Sequence, residues 1–522
     1  MDLRLPSQSS VLRWRRSSAG LAIVALACKL ALAWCTAGTN DMRTWEADLQ
    51  VITAEGGSAV YKEFVPIYES GMVTHTQVFN HPPMMISVLR VWGWLADQTG
   101  VPFRFWLRAT SSLADLGTLA LLYLAASRGV WRIGGPALCV LAASPVAIFV
   151  SGFHGNTDPI LTFLIVGSAF LIEGGDHVAG SGLLLGLAME IKIVPLLLVP
   201  AILLMLPSYR QRVIWCASAA CTALLPAVPY WLVARGMLKN IFGYGSDAGV
   251  WGFSYLHGAL HLPHPYGFNL ALKWVMLGSI VAVAVWYSLR PYPVNLFHRW
   301  GTTMFLLLGA APGFGIQYLA WLSPWPAAIG LRAMVLYHAT SGLFVAVVYT
   351  LWSGGIPWDY ANAYRTSWYG WMHVPHLMAW VTIVATTLVF LFTGSLFARQ
   401  RSESMGRLAF RAFVNFITRG KFGRKFCILF HFRQPVGRPV AGFVFWVVGV
   451  GDQFGHHFPV RAVVLYPAIF GLFAAVVSTL WSAGSSVRLV GYVGVPVSWF
   501  AFCQAAFGID AAVSFSSSSL TS

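Results

Sequence analysis

Apolar runs recur along most of the chain, separated by short polar or basic breaks. They cover Gly20 to Trp34, Phe105 to Ala126, Gly134 to Val150, Ile160 to Ile172, Gly182 to Leu206, Val213 to Val233, Leu270 to Leu289, Met334 to Leu351 and Val374 to Phe397. A helix of about 20 apolar residues satisfies its own backbone and crosses a bilayer. The pattern therefore predicts an all-α, polytopic bundle of about 10–14 spans. A compact hairpin turns at Pro312-Gly313-Phe314-Gly315, and two or three further apolar runs follow residue 440.

Two stretches depart from the pattern. Residues 37–103 begin polar and turn apolar only from His81-Pro82-Pro83-Met84-Met85 to Leu95, which is short for a span and suits an interfacial helix. Gly182 to Leu206 is interrupted by Met189-Glu190-Ile191-Lys192-Ile193-Val194-Pro195. Charge and proline there predict a broken, re-entrant pair of half-helices, which the bilayer tolerates only against protein or a wet cavity.

Basic loops set the orientation. Arg13, Arg15 and Arg16 precede the first run, which reads as an uncleaved anchor with its start inside. Arg128 and Arg132 end the second, Arg210 and Arg212 follow Leu206, and Arg290 and Arg299 flank a later break. The loops at 37–103 and 151–158 then share the outer side. Three segments result: residues 1–400 as a membrane domain with 37–103 as its first outer loop, 401–440 as a cytoplasmic polybasic segment, and 441–522 as additional helices and a Ser-rich tail. Residues 401–438 carry nine basic side chains and one acid, Glu403, a composition that meets anionic lipid.

Composition narrows the class. Of 522 residues only 10% are charged, against about 25% in soluble domains. Mean hydropathy is +0.66. There is too little polar surface for a cytosolic enzyme. The net charge of +16 fits basic cytoplasmic loops, and no nucleic-acid partner is expected. Seven cysteines without a C-x-x-C pair predict no zinc or redox framework. The absence of an N-x-[ST] sequon favours a bacterial inner membrane over endoplasmic reticulum.

Acids are scarce, so their positions inform. Six of eighteen lie between Asp41 and Glu69. Asp41, in Thr39-Asn40-Asp41, reads either as the cap of an interfacial helix or as a general base at the membrane edge. Glu46 and Asp48 read either as acids that help shape such a site or, in the first instance, as solvated loop acids. His154-Gly155-Asn156-Thr157-Asp158 reads as a capped turn or as a site sharing Asp41's side. In Gly315-Ile316-Gln317-Tyr318, Gln317 and Tyr318 suit an aromatic belt or a sugar-binding edge. Asp115 lies mid-span and needs a partner, with Arg108 and Lys192 as candidates. Lys192 would equally stabilise a departing phosphate. His257, His261 and His264 have i, i+4, i+7 spacing, but Pro263 and Pro265 break that helix, so no metal site is assigned.

Read in order, four of these motifs resemble the GT-C superfamily of membrane glycosyltransferases that use polyprenyl-phosphate-linked sugars. Thr39-Asn40-Asp41 resembles the catalytic Asp motif of the first outer loop, and His81-Pro82-Pro83-Met84 the Pro-Pro segment of that loop. His154-Gly155-Asn156-Thr157-Asp158 resembles the second-loop His-Gly-Gln-x-Asp signature, with Asn156 where glutamine is usual. Gly315-Ile316-Gln317-Tyr318-Leu319-x-Trp321 resembles a stretch of bacterial mannosyl- and glucosyltransferases. The likeness covers about residues 15–400. It implies inverting transfer of a hexose, mannose or glucose, from a polyprenyl-phosphate donor to a hydroxyl of a glycan or lipid acceptor on the extracytoplasmic face. It implies Asp41 as the base, Arg43 and Lys192 on the phosphate, and His81, His154, Asn156, Asp158, Gln317 and Tyr318 on the substrates. No cofactor or metal is implied, since most relatives with one catalytic carboxylate need none. The rival readings are a transporter or lipid flippase using Asp115, Glu190 and Lys192, and a non-catalytic scaffold.

Overall fold

The computed structural model describes residues 8–396, apart from 63–64, 70–71, 232, 235, 244–249, 261–266, 291–293 and 364–372; side chains are described for fewer. The polybasic segment and the C-terminal runs lie outside the described residues, as do His261 and His264.

The chain is an all-α polytopic bundle. In order come α1 (Gln8–Cys35), α2 (Asn40–Glu55), α3 (Met84–Thr99), α4 (Phe103–Ser127), α5 (Gly135–Ala142), α6 (Pro145–Phe149), α7 (Asp158–Gly175), α8 (Val178–Ile191), α9 (Val199–Leu203) and α10 (Tyr209–Leu224). Then follow α11 (Val228–Trp231), α12 (Met237–Gly243), α13 (Gly252–Ala259), α14 (Phe268–Ser288), α15 (Leu296–Ala310), α16 (Leu319–Leu322), α17 (Leu331–Ser353) and α18 (His373–Leu396). Among the described residues eight helices are long and apolar enough to cross a membrane. Strands are marginal: β1 (Gly38–Thr39) pairs in parallel with β4 (Tyr360–Ala361), and β2 (Val65–Glu69) with β3 (Met72–Gln77) forms a hairpin in the first outer loop.

Contacts divide the bundle into two ends. At one, Arg108 meets Thr36, Tyr349 meets His154, and Lys192 meets Asp158. At the other, Glu173 accepts from the backbone N–H groups of Leu296 and Phe297 and from the Trp131 indole. Arg128 and Arg132 lie at this second end, between α4 and α5. Glu173 thereby caps the start of α15, giving free N–H groups a buried acceptor.

The broken segment resolves as expected. α8 and α10 run parallel, Gly182 facing Trp215 and Ser218, and Gly186 facing Ala219 and Thr222. A Cβ on either glycine would sit 2.5–2.6 Å from a backbone carbonyl oxygen, so only glycine permits this approach. Two parallel neighbours require a return between them. It runs through a 3-10 turn at Val194–Leu198 and short α9. Pro195 and Pro200 start these pieces, where a missing N–H costs nothing. A second return, through α16 and Trp325–Ala328, joins α15 to α17.

The run 134–150 is a span as expected, within Gly135–His154, with one interruption: α5 stops at Ala142, and Ser144 caps α6 by accepting from the Ala147 N–H. Two expectations need correction. Residues 151–154 are no exposed loop but part of a buried π turn, Val150–His154. Asp115 pairs with neither Arg108 nor Lys192. Its partner is Lys29 of α1, 2.7 Å away. Arg108 sits two turns nearer the site end and is occupied by carbonyls, and Lys192 is held by Asp158. Lys29→Met should cost about 3–5 kcal/mol, because it strands a buried carboxylate. Lys29→Met with Asp115→Leu should recover most of it, read as thermal unfolding in detergent. Equal loss in the double variant would refute the pairing account.

Candidate active site

The site forms where the end of α1, the start of α2, the π turn, the start of α7, the end of α8 and the end of α17 converge. Its frame is Arg108. This guanidinium is fully buried and donates to the carbonyls of Ala33, Thr36 and Phe153 and to the Thr36 hydroxyl, at 2.7–3.3 Å. The rigid fork ties the end of α1 to the π turn. Thr39 adds a second tie, donating to the His154 carbonyl at 2.8 Å. Asp359 anchors the same segment by accepting from the N–H of Ala37 and, through its carbonyl, of Gly38.

Asp41 is therefore not the helix cap. Thr39 caps α2, its hydroxyl accepting from the Asp41 N–H at 3.3 Å. Asp41 stands in the first turn, where its charge suits the helix dipole, and its side chain is free to face the π turn. His154 Nε2 lies 2.9 Å and Asn156 Nδ2 3.0 Å from Asp41 Oδ2. Gly155 separates the two donors at φ +83°, and a Cβ there would meet Met42 Sδ at 2.1 Å. Glycine is thus required both by the left-handed backbone and by the space. Among the described residues nothing hydrogen-bonds Asp41 Oδ1. The Asp41 side chain is 27% exposed, against 2% for His154, so this oxygen's carboxylate is the accessible one of the pair.

Burial pushes the Asp41 carboxyl up, but His154 with its hydrogen bond, the Lys192 charge and the Asn156 amide together hold it below the usual carboxylate range. It stays ionised. An ionised carboxylate only accepts, so His154 Nε2 is the donor in this hydrogen bond.

Asp158 begins α7 and is fully buried, with Lys192 Nζ 2.6 Å from its Oδ1. Asn156 links the two acids: its Nδ2 serves Asp41, while its Oδ1 accepts from the Thr157 N–H and lies 3.5 Å from Lys192. Lys192 also sits over the rings of Tyr318 and Trp321, 5.2 and 5.5 Å from their centroids, and those rings stack 4.2 Å apart. A cation held by one carboxylate and two π faces keeps a fixed position.

The remaining expected residues fall at different depths. His81 is buried, packs its ring 4.6 Å from Trp45, and donates from Nδ1 to the Ile191 carbonyl at 2.9 Å. Burial, then the Lys192 charge, pushes it down to about 3, so it is neutral. It braces the chain next to Lys192. Gln317 is half-buried beside Tyr318 and makes no hydrogen bond among the described residues. Arg43 stands outside the bonded cluster: it is exposed, 3.4 Å from Glu46 and 5.6 Å above the Tyr360 ring. Asp48, expected in solvent, is buried on the inner face of α2. Tyr349, unmarked in the sequence, reaches His154 Nδ1 at 2.8 Å. Only its separation of 195 residues hid it, since a single tyrosine inside an apolar run carries no local signal.

A carboxylate accepting two hydrogen bonds, near a fixed cation, is the equipment for removing a proton from one group while steadying an anion on another.

Residues 79–312 match the model of glycosyltransferase family 87. This is a GT-C-like family of membrane glycosyltransferases, and two of the four motifs, His81-Pro82-Pro83-Met84 and His154-Gly155-Asn156-Thr157-Asp158, lie inside the match. The glycosyltransferase region contains His81, His154, Asn156, Asp158 and Lys192; Asp41, Gln317 and Tyr318 lie on either side of it in sequence and join it in space. With eight helices among the described residues long and apolar enough to cross a membrane, this match supports an integral membrane glycosyltransferase, an enzyme with a donor and an acceptor. No curated protein matches the chain.

Proposed function

We propose that the protein transfers a hexose, mannose or glucose, from a polyprenyl-phosphate donor to a hydroxyl of a glycan or lipid acceptor. Transfer inverts the anomeric centre and takes place on the extracytoplasmic face, most readily that of a bacterial inner membrane. The observation that carries this reading is the accessible Asp41 carboxylate joined through Asn156 to the Lys192 cation.

In this reading Asp41 accepts the proton of the acceptor hydroxyl as its oxygen bonds the anomeric carbon. The bond from that carbon to the phosphate oxygen breaks on the opposite face, and the electron pair leaves on the lipid phosphate. A base held below the usual carboxylate range suits a late proton transfer, when the attacking oxygen has become strongly acidic. Lys192 supports the departing phosphate's charge. Asp158 fixes Lys192, and Tyr318 forms an aromatic wall suited to a sugar face. His81 and Gln317 shape the same rim, and Arg43 at its exposed edge meets the phosphate on entry. The arginines at 128, 132, 210 and 212 flank helix ends remote from the site, which by the positive-inside rule supports an outer location for the site. Membrane attachment follows physically, because a donor with a long apolar tail stays in the bilayer.

The test is to incubate purified protein with labelled polyprenyl-phosphate mannose and polyprenyl-phosphate glucose in the presence of native membrane lipids. Label is expected in a lipid or glycan product from one of them. Transfer directly from a nucleotide sugar, with neither lipid donor active, would overturn the donor assignment.

A further inference from the structure

We propose that Tyr349 is a positioning residue for this transfer: its hydroxyl holds the His154 ring in the orientation that hydrogen-bonds Asp41 Oδ2. The inference rests on the proposed role of Asp41 as base. Tyr349 and His154 are buried, at 0% and 2% exposure. Inside a water-poor core each polar atom needs a protein partner. The Tyr349 hydroxyl meets His154 Nδ1 at 2.8 Å, and His154 Nε2 meets Asp41 at 2.9 Å. The three side chains thus form one line from α17 through the π turn to α2. With Asp41 ionised, Nε2 must donate, and the phenol meets Nδ1 as donor or acceptor according to whether that nitrogen carries a proton.

The carboxylate of Asp41 sets the proton on Nε2, and the phenol, which can donate or accept, sets where the ring stands. A ring turned off the phenol would also swing Nε2 off Asp41. The tyrosine is itself held firmly. Its ring packs 5.3 Å from Phe153, 5.9 Å from Trp358 and 6.2 Å from Trp352, and the Trp358 indole donates to Thr350 at 3.0 Å. The other charged or titratable groups acting on this line are Lys192, Asp158 and His81; none touches Nδ1.

Removing the phenol leaves Nδ1 without its polar partner. The ring then loses its tether on the α17 side, and Asp41 loses part of the hydrogen bonding that keeps it ionised. The sign follows directly. Less stabilisation of the charged form raises the Asp41 pKa, so the acid limb of activity moves to higher pH.

The experiment compares Tyr349→Phe, His154→Ala and their combination with the wild type. It reads turnover of labelled polyprenyl-phosphate mannose or glucose, whichever is active, from about pH 2.5 to about pH 8, which spans both sides of the ordinary carboxylate value. Tyr349→Phe is expected to lower kcat about tenfold with donor KM little changed, and to raise the acid limb. Adding it to His154→Ala should change nothing further, because its effect passes through the imidazole. Thermal unfolding of each variant separates a folding defect. An acid limb left at its wild-type pH in folded Tyr349→Phe, or full additivity with His154→Ala, would overturn the proposal. Transfer that survives in Asp41→Asn would instead overturn the reading of Asp41 as base, a separate and recognisable failure.

Discussion

Asp41→Asn is expected to abolish sugar transfer while the protein still inserts and folds. Asparagine keeps the size and one acceptor oxygen, so the hydrogen bond from His154 survives in part and the packing around Met42 is unchanged. What it lacks is a group that can hold the acceptor's proton. A positioned base accounts for about 10²–10⁴ in rate, and the neighbouring acids among the described residues are engaged elsewhere: Asp158 with Lys192, Glu46 with Arg43, and Asp48 buried on the inner face of α2. Donor KM should move little, since the base acts on the acceptor. The pH dependence of the wild type follows from the same carboxylate. Its folded pKa lies below the ordinary value of 3.8, so the stability it contributes is present above that value and is lost as pH falls through the folded pKa. Activity should likewise persist to the acid side of 3.8 before it fails. A folded Asp41→Asn protein with wild-type turnover would remove Asp41 from the chemistry.

Lys192→Met is expected to have the second largest effect, on two readouts at once. It removes the cation proposed to support the leaving phosphate, a kind of loss that costs about 10²–10³ in kcat. It also strands Asp158, fully buried with its only ion pair gone, at about 3–5 kcal/mol. Lys192→Arg keeps the charge and should recover stability more than activity, because a planar guanidinium cannot occupy the same point over the Tyr318 and Trp321 rings. Adding Asp158→Asn to Lys192→Met should restore thermal stability without restoring transfer. Recovery of transfer in that double variant would show that the cation serves folding alone.

The extent to which this molecule could be read from its chain follows from the range of each interaction. Span positions, the break at Lys192 and Pro195, and the shared side of Asp41 and the 154–158 turn were legible, because hydropathy, proline and loop charge act locally. The pairing of Lys29 with Asp115 was not. Both sit on apolar helices 86 residues apart, and helix rotation decides which faces meet. Arg108 was misread for a related reason: its partners are carbonyls, which every residue possesses and no motif marks. Asp48 was misplaced because α2 turns its inner face to the bundle, a choice set by Met42, Trp45 and Ile52 at helical spacing beside it. The strand pair formed by β1 and β4 has only two residues on each side, too few for an alternation to appear. Tyr349 shows the same limit within the site: its contact exists only once α17 and the π turn have packed.

The choice of Asp41 over a capping role turned on one hydroxyl. Thr39 took the cap, which freed the carboxylate two residues later for His154 and Asn156. A sequence offering both a threonine and an aspartate near a helix start leaves that assignment open, and the geometry decides it.

The account's central claim is a single displacement by an acceptor hydroxyl deprotonated at Asp41. It is tested most directly by the anomeric configuration of the product formed from a polyprenyl-phosphate hexose of known anomer, read from the coupling of its anomeric proton by NMR. The account predicts the opposite anomer in the product, β donor giving α glycoside. Product of the same anomer as the donor would require a second displacement and a covalent sugar intermediate, and would contradict it.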